Sequence, residues 1–118
     1  MYYTYIIRVE GGALYTGIAK SLFSRMKEHA GGAATAAKYT RSHKILSLEA
    51  VWSSRDRSAA SRLEYAIKTL TKREKEAILA SPKTLFFYLP HLDREDYIHH
   101  PKACLPLYLG KIDLTHLP

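Results

Sequence analysis

The chain has 118 residues, of which 47% are hydrophobic and 25% are charged, values close to the average of globular domains. This length suits one compact domain and is too short for two independent ones. The composition argues against a fibrous or disordered chain, and the lone cysteine, Cys104, excludes an intramolecular disulfide and a thiolate zinc cluster.

The charge balance is strongly basic. Lys and Arg number 18 against 11 Asp and Glu, which gives a net charge of +7 and a pI near 9.6. Such an excess attracts polyanions through phosphate contacts, although a basic protein without such a partner would show the same excess. No apolar run approaches the roughly 20 residues of a membrane helix, and the N-terminal residues lack a signal pattern. The sequence therefore predicts a cytoplasmic protein with no membrane partner.

The first twenty residues predict a β-hairpin. Residues 2–9 are rich in aromatic and β-branched types, which favour strands. Glu10-Gly11-Gly12 is typical of a turn, and residues 13–18 would form the returning strand. The turn comprises either residues 10–12 or only the two glycines. This difference of one residue in turn length decides which face of the sheet each side chain of the second strand occupies.

One helix and a third strand are predicted after the hairpin. The helix covers about residues 22–30, with Ser21 as its N-cap and two glycines at its end. The small, basic stretch that follows, up to His43, lacks periodicity and is interpreted as a loop that faces phosphates. Residues 45–53 predict the strand because they are again rich in β-formers.

Two further helices complete the predicted core. The first has an apolar stripe and begins after Asp56 or Ser58, and the second covers about residues 72–80 with Thr71 as its cap. The element order is ββαβαα. We therefore predict an α+β fold, similar to an α/β sandwich, in which a three-stranded antiparallel sheet is flanked by helices.

The rest of the chain shows no clear periodicity. Its apolar content is too high for a disordered tail. We predict a domain over residues 1–80 and a C-terminal extension over residues 81–118 that packs on or beside it, either by adding a strand or by draping over the core. The histidines of the extension show no recognised zinc spacing, which disfavours a zinc site there.

Several motifs occur together in the order and spacing of one nuclease superfamily. They are Tyr3-Thr4-Tyr5 with the following Ile6-Ile7-Arg8, Leu14-Tyr15-Thr16-Gly17-Ile18, Lys38-Tyr39-Thr40-Arg41, and the segment from Glu64 to Lys68. The chain resembles the GIY-YIG nuclease superfamily over roughly residues 2–80, and is most similar to its small stand-alone bacterial members, which are like the incision domain of excision repair. Of the two name-giving triplets only the tyrosines and Gly17 are present, and the chain lacks the asparagine that some superfamily members use.

The resemblance implies five catalytic residues and a metal cofactor. Tyr15 would be the general base or proton relay for the attacking water, with Tyr5 as its hydrogen-bonding neighbour, and this arrangement requires the three-residue turn. A free phenol has a pKa of about 10 and needs a nearby cation to act as a base at neutral pH. Arg25 would contact phosphate oxygens, and His29 would orient Tyr15, contact phosphate or shuttle a proton. Glu64 would bind Mg²⁺ or Mn²⁺.

Each of these side chains also has a purely structural interpretation. The two tyrosines would be core aromatics, and the histidine a half-buried structural residue. Arg25 would pair with Glu28 or Glu64, and Glu64 with Lys68, four residues later on the same helix. The constellation, rather than any single residue, favours the catalytic interpretation.

Basic and aromatic residues outside this group predict nucleic-acid contacts. Positive side chains bind phosphates, and an aromatic ring can stack on a base. A solvated loop is the alternative interpretation of the segment around Tyr39. The predicted nucleic-acid-binding residues are Lys20, Lys38, Tyr39, Arg41, His43 and Lys68.

These features predict a metal-dependent endonuclease that hydrolyses phosphodiester bonds in DNA, in repair or processing. One alternative is a non-catalytic nucleic-acid-binding module of the same fold, which would bind in a salt-sensitive way and cleave nothing. Another is an adaptor whose C-terminal extension binds a protein partner, and deletion of residues 85–118 would abolish that binding.

Overall fold

The fold is described from a computed structural model, for residues 1–31, 45–101 and 105–106. The strands are β1 (Tyr2–Val9), β2 (Leu14–Ala19), β3 (Ile45–Ser54), β4 (Tyr97–His99) and β5 (Leu105–Pro106). The helices are α1 (Leu22–Gly31), α2 (Arg57–Lys68), α3 (Lys72–Ala80) and the short α4 (Leu85–Tyr88). Turns of 3-10 helix cover Glu10–Gly12, Pro82–Thr84 and Arg94–Asp96. The predicted α+β fold and its ββαβαα order are confirmed.

The hairpin turn has the three residues that the longer alternative requires. Gly11 and Gly12 have φ values of 86° and 87°, a left-handed conformation that glycine adopts without steric cost. Tyr5 is paired with Gly17 across the hairpin, and Tyr15 is paired with the residue two positions after Tyr5. Since side chains alternate along a strand, Tyr5 and Tyr15 lie on the same face of the sheet.

The sheet is larger than predicted. Its strands are antiparallel and follow the order β2-β1-β3-β4, and β5 pairs with β3 near the other end of the same edge. The prediction of three strands was therefore wrong, because the residues after 80 supply β4 and β5. Strands of three and two residues are too short to show an alternating pattern, and they form by pairing with the long strand β3.

The helix α1 covers one face of the sheet. Leu22 and Met26 are buried on its inner side and pack with Tyr5, Ile7 and Val51 of the sheet. Their spacing of four residues places both on the same side of the helix. Burial of each aliphatic side chain stabilises the fold by about 1.5–3 kcal/mol, so α1 is held firmly above the two tyrosines.

The other helices cover the opposite face. Leu63 and Ile67 of α2 pack with Ile6 and Trp52 of the sheet, in a cluster that α3, α4 and the start of β4 complete. The molecule thus has three layers, with α1 on one side and α2, α3 and α4 on the other. Within residues 1–31 and 45–101, no helix is long and apolar enough to cross a membrane.

Three hydrogen bonds fix the first turn of α2. The Asp56 side chain caps the helix by accepting from the Ala59 N–H at 2.9 Å. The Thr4 hydroxyl of β1 donates to the Ala60 carbonyl at 3.1 Å, and the Tyr97 hydroxyl of β4 donates to the Ala59 carbonyl at 2.7 Å. Side chains from two strands therefore hold the helix that carries Glu64.

Candidate active site

Three side chains form a chain of hydrogen bonds beneath α1. The Tyr5 hydroxyl lies 2.7 Å from His29 Nε2, and Arg25 Nε donates to the Tyr5 oxygen at 3.3 Å. Arg25 and His29 are four residues apart, so both project from the same side of α1. The strand β1 supplies the tyrosine between them.

Burial determines the protonation states of Tyr5 and His29 in this hydrogen-bonded series. Tyr5 has no exposed surface, and burial raises the pKa of its phenol above the usual value, against the opposing effect of the Arg25 hydrogen bond. His29 is 2% exposed, and burial together with the Arg25 charge lowers its pKa to about 4. At neutral pH the guanidinium therefore donates to Tyr5, Tyr5 donates to Nε2, and the imidazole carries its proton on Nδ1.

Tyr15 completes the cluster on the open side. Its ring meets the His29 ring edge-on at a centroid distance of 5.7 Å, and the Tyr5 ring meets the same imidazole at 5.6 Å. The His29 ring therefore contacts both tyrosine rings. Tyr15 is half-buried whereas Tyr5 is fully buried, so Tyr15 is the tyrosine that a substrate can reach.

Gly17 is a steric requirement of this arrangement. A Cβ atom at this position would lie 2.5 Å from the Tyr5 hydroxyl oxygen, 2.7 Å from Tyr5 Cζ and 3.2 Å from Tyr15 Cε1. Ring atoms held on both sides cannot move aside without breaking the contact with His29. Only glycine allows β2 to approach Tyr5 this closely.

The helix α2 brings a carboxylate and an ammonium group to Tyr15. Lys68 Nζ lies 6.0 Å from the centroid of the Tyr15 ring and 3.5 Å from Glu64 Oε2. The negative charge of Glu64 also acts on the Tyr5 phenol. Glu64 is half-buried and Lys68 is exposed, so both groups are accessible to a ligand that reaches Tyr15.

Arg25 has a second partner on its own helix. Its Nη1 donates to Glu28 Oε2 at 2.8 Å, three residues along α1. Glu28 is one of the two alternative partners that the sequence predicts for Arg25, and the spacing of three residues is the signal that identifies the contact. The structure shows both contacts of Arg25, one with a carboxylate and one with the buried tyrosine.

Arg25 faces a shallow groove of about 310 Å³ between β2 and α1, lined by Ile18, Ala19, Lys20, Ser21, Ser24, Arg25 and Glu28. A larger cleft, of about 560 Å³, lies at the β4 side of the sheet between Ser53 and Ile98. None of the predicted site residues lines that cleft, so size does not identify the site. The groove next to Arg25 does contain predicted residues.

The predicted site residues fall into three groups. Tyr5, Tyr15, Arg25 and His29 form one cluster, with Glu64 and Lys68 beside Tyr15. Lys20 is exposed and lines the adjacent groove. The predicted nucleic-acid contacts Lys38, Tyr39, Arg41 and His43 lie outside the described residues.

The donor atoms near Tyr15 suit a hard metal ion. Mg²⁺ is usually bound by one or two carboxylates, with waters and substrate phosphate in the remaining positions. Glu64 offers one half-buried carboxylate of this kind. In the described part of the chain there is no group of three or more His, Cys, Asp or Glu side chains that could hold a metal ion without substrate. The donor set near Tyr15 therefore fits Mg²⁺ or Mn²⁺, with substrate and water as the remaining ligands.

Comparison with known proteins gives consistent matches. Residues 1–77 match the family model described as GIY-YIG catalytic domain. The chain is 44% identical over 81 residues to UPF0213 protein FN1575 of Fusobacterium nucleatum, which covers 69% of this chain and 79% of that protein. It is 37% identical over 91 residues to UPF0213 protein DP2720 of Desulfotalea psychrophila, which covers 75% and 82%.

A solved structure is also similar. The solution NMR structure of the UPF0213 protein BH0048 from Bacillus halodurans aligns with a TM-score of 0.43 and 33% sequence identity, and the alignment covers 75% of this chain and 97% of that one. The family match over residues 1–77 includes all five candidate catalytic residues.

Proposed function

The chain belongs to the GIY-YIG catalytic-domain family, a family of nucleases, and we propose that it is a divalent-metal-dependent endonuclease that hydrolyses phosphodiester bonds in DNA. The observation that carries this proposal is the cluster of an arginine, a histidine and two tyrosines on one sheet face, with Glu64 and Lys68 beside Tyr15. The net charge of +7 favours a polyanionic substrate. The proposed role in repair or processing of DNA rests on the family resemblance alone.

Arg25 and Tyr15 act directly on the substrate in this proposal. Guanidinium groups suit phosphate oxygens, and in this proposal Arg25 binds the phosphate next to Tyr15. As the phenolate, Tyr15 takes a proton from the attacking water, whose oxygen bonds to phosphorus. The ester bond to the leaving oxygen then breaks, and solvent protonates that oxygen.

Tyr5 and His29 are positioning residues in this mechanism. Both are buried and neither is accessible to a substrate. Tyr5 accepts a hydrogen bond from Arg25 and so fixes the guanidinium, while the His29 ring packs against Tyr15. Their hydrogen bond prevents either side chain from rotating independently.

Glu64 would hold the metal ion. A bound Mg²⁺ or Mn²⁺ would neutralise charge on the phosphate and stabilise the transition state. Lys68 contacts the same carboxylate through an exposed ion pair, an interaction of about 0.3–0.5 kcal/mol. A contact this weak does not prevent Glu64 from binding a cation.

A plasmid-nicking assay tests the proposal. The wild type is expected to nick supercoiled DNA in Mg²⁺ or Mn²⁺ and not in EDTA. Tyr15→Phe removes only the hydroxyl, and general-base roles contribute about 10²–10⁴-fold to rate, so this variant should lose at least about 100-fold in rate. Tyr88→Phe on α4, on the other side of the sheet, is the matched control and should retain activity.

The opposite result would support a non-catalytic nucleic-acid-binding module. In that case the wild type would bind DNA in a salt-dependent way and leave it intact in both metals. The absence of asparagine from the chain favours this second candidate, since some members of the superfamily use that residue.

A further inference from the structure

An exposed aromatic ring lies next to the candidate active site on α2. Tyr65 directly follows Glu64, and 74% of its surface is exposed. Lys68 is three residues further along the helix and Ser61 is four residues back, so both neighbour Tyr65 on the helix surface. Tyr65 and Lys68 are therefore neighbours on the surface of α2, and Lys68 in turn contacts the Glu64 carboxylate at 3.5 Å.

We propose that Tyr65 stacks on an unpaired base of the DNA strand whose phosphate lies at Glu64 and Lys68. The substrate would then be single-stranded DNA or the single-stranded part of a branched molecule. This inference rests on the proposed function and specifies the substrate class of the same site.

The spacing of the side chains on α2 is similar to the separation between the phosphate and the base of a nucleotide. Side chains three and four positions apart on a helix have Cβ atoms about 5–6 Å apart. A phosphate beside Lys68 and Glu64 therefore places the base of the same or the next nucleotide within reach of the Tyr65 ring. The basic excess of the chain complements the phosphates of the strand on either side.

Stacking on Tyr65 selects for unpaired bases. In a duplex each base is already stacked between its neighbours and has no free face, whereas a base in a single strand can stack on an aromatic side chain. Every base has such a face, so this contact would not depend on sequence. Phe87 is similarly exposed, at 79%, but it lies on α4, which carries none of the candidate site residues.

The test measures DNA binding in EDTA, where cleavage does not interfere. The full-length wild type, Tyr65→Ala, Tyr65→Phe and the control Phe87→Ala are titrated into a fluorescent oligonucleotide, single-stranded or annealed to its complement, at one salt concentration. Loss of a base–aromatic stack should weaken single-strand binding by Tyr65→Ala about 5- to 150-fold. Tyr65→Phe and Phe87→Ala should bind like the wild type, and duplex binding should not change in any variant.

A fluorescent base provides a readout specific to stacking. 2-Aminopurine placed in the single strand should be quenched by the wild type and by Tyr65→Phe, and not by Tyr65→Ala. Single-strand binding that Tyr65→Ala leaves unchanged, or an equal loss on duplex and single strand, would overturn the stacking inference and leave the nuclease proposal intact. If the wild type binds neither form of DNA, the stacking inference fails, and the nicking assay in Mg²⁺ or Mn²⁺ decides the nuclease proposal separately.

Discussion

Replacing His29 by glutamine is expected to make the stability of the protein less sensitive to acid. The pKa of His29 is about 4 in the folded protein and about 6.5 in an unfolded chain. Between these values the unfolded state binds more protons than the folded state, so stability falls as the pH drops from 6.5 to 4 and stays low below that. Glutamine does not titrate, and its amide oxygen can accept a hydrogen bond from Tyr5.

The size of the effect follows from the two pKa values. Relative to neutral pH, the His29 contribution to the free energy of unfolding should be lower by about 2 kcal/mol at pH 5 and about 3 kcal/mol at pH 4. Urea unfolding followed by tryptophan fluorescence measures this free energy. Trp52 is the only tryptophan and is buried in the core, so its fluorescence reports unfolding. At pH 7 we expect the variant to be the less stable protein, through lost packing against the two tyrosines.

Comparing the wild type with His29→Gln separates the effect of His29 from that of the carboxylates that titrate in the same pH range. The difference in unfolding free energy between wild type and His29→Gln should shift by about 2 kcal/mol, in favour of the variant, between pH 7 and pH 5. The exposed residue His91 provides the control, since His91→Gln should follow the wild type at every pH. A difference for His29→Gln that stays constant from pH 7 to pH 4.5 would refute the assignment of a buried, neutral imidazole.

Three further substitutions have clear expected results. Gly17→Ala places a methyl group against Tyr5. It should lower the free energy of unfolding by about 1–3 kcal/mol and remove most of the cleavage activity. An unchanged thermal midpoint would show that the Tyr5 ring is not confined against residue 17. Glu64→Gln should abolish metal-dependent cleavage and leave the thermal midpoint within a few degrees, because its ion pair with Lys68 is weak; full activity would exclude it as the metal ligand. Thr71→Ala removes the capping box of α3 and should cost about 1 kcal/mol in urea unfolding without affecting cleavage, whereas an unchanged midpoint would contradict the cap.

The hairpin and the helices α1, α2 and α3 could be predicted because their patterns are local. A slip of one residue at the turn would separate Tyr5 from Tyr15, so the shared role implied by the resemblance selects one turn length. Asp56 and Thr71 identify the starts of α2 and α3 because their side chains accept backbone hydrogen bonds within the next turn.

The strands after residue 80 could not be predicted in the same way. β4 has three residues, and its formation depends on the free edge of β3 rather than on its own sequence. The backbone N–H of His100, just after β4, donates to the Val51 carbonyl at 2.9 Å, and the His100 ring lies 2.8 Å from the Ser53 hydroxyl. Contacts between residues nearly fifty positions apart leave no periodic pattern in the sequence.

The contacts within the site were only partly predictable. Helical spacing indicates that Arg25 and His29 share one side of α1, but it does not indicate that the same Tyr5 hydroxyl meets both. That contact depends on how deeply α1 packs on the sheet, and so does the full burial of His29. The contact of Lys68 with the Tyr15 ring likewise joins two elements whose relative position is set by the core.

The strand β4 affects how the C-terminal extension can be studied. It covers part of the edge of β3, and Tyr97 at its start also fastens α2 through the Ala59 carbonyl. A chain cut after residue 84 would expose a strand edge prone to intermolecular pairing and would remove Leu85 and Leu89 from the core. Loss of a partner, or of activity, in such a truncated protein would therefore report misfolding as readily as a missing binding surface. Substitutions of exposed residues on the intact chain are the appropriate way to assign a role to this region.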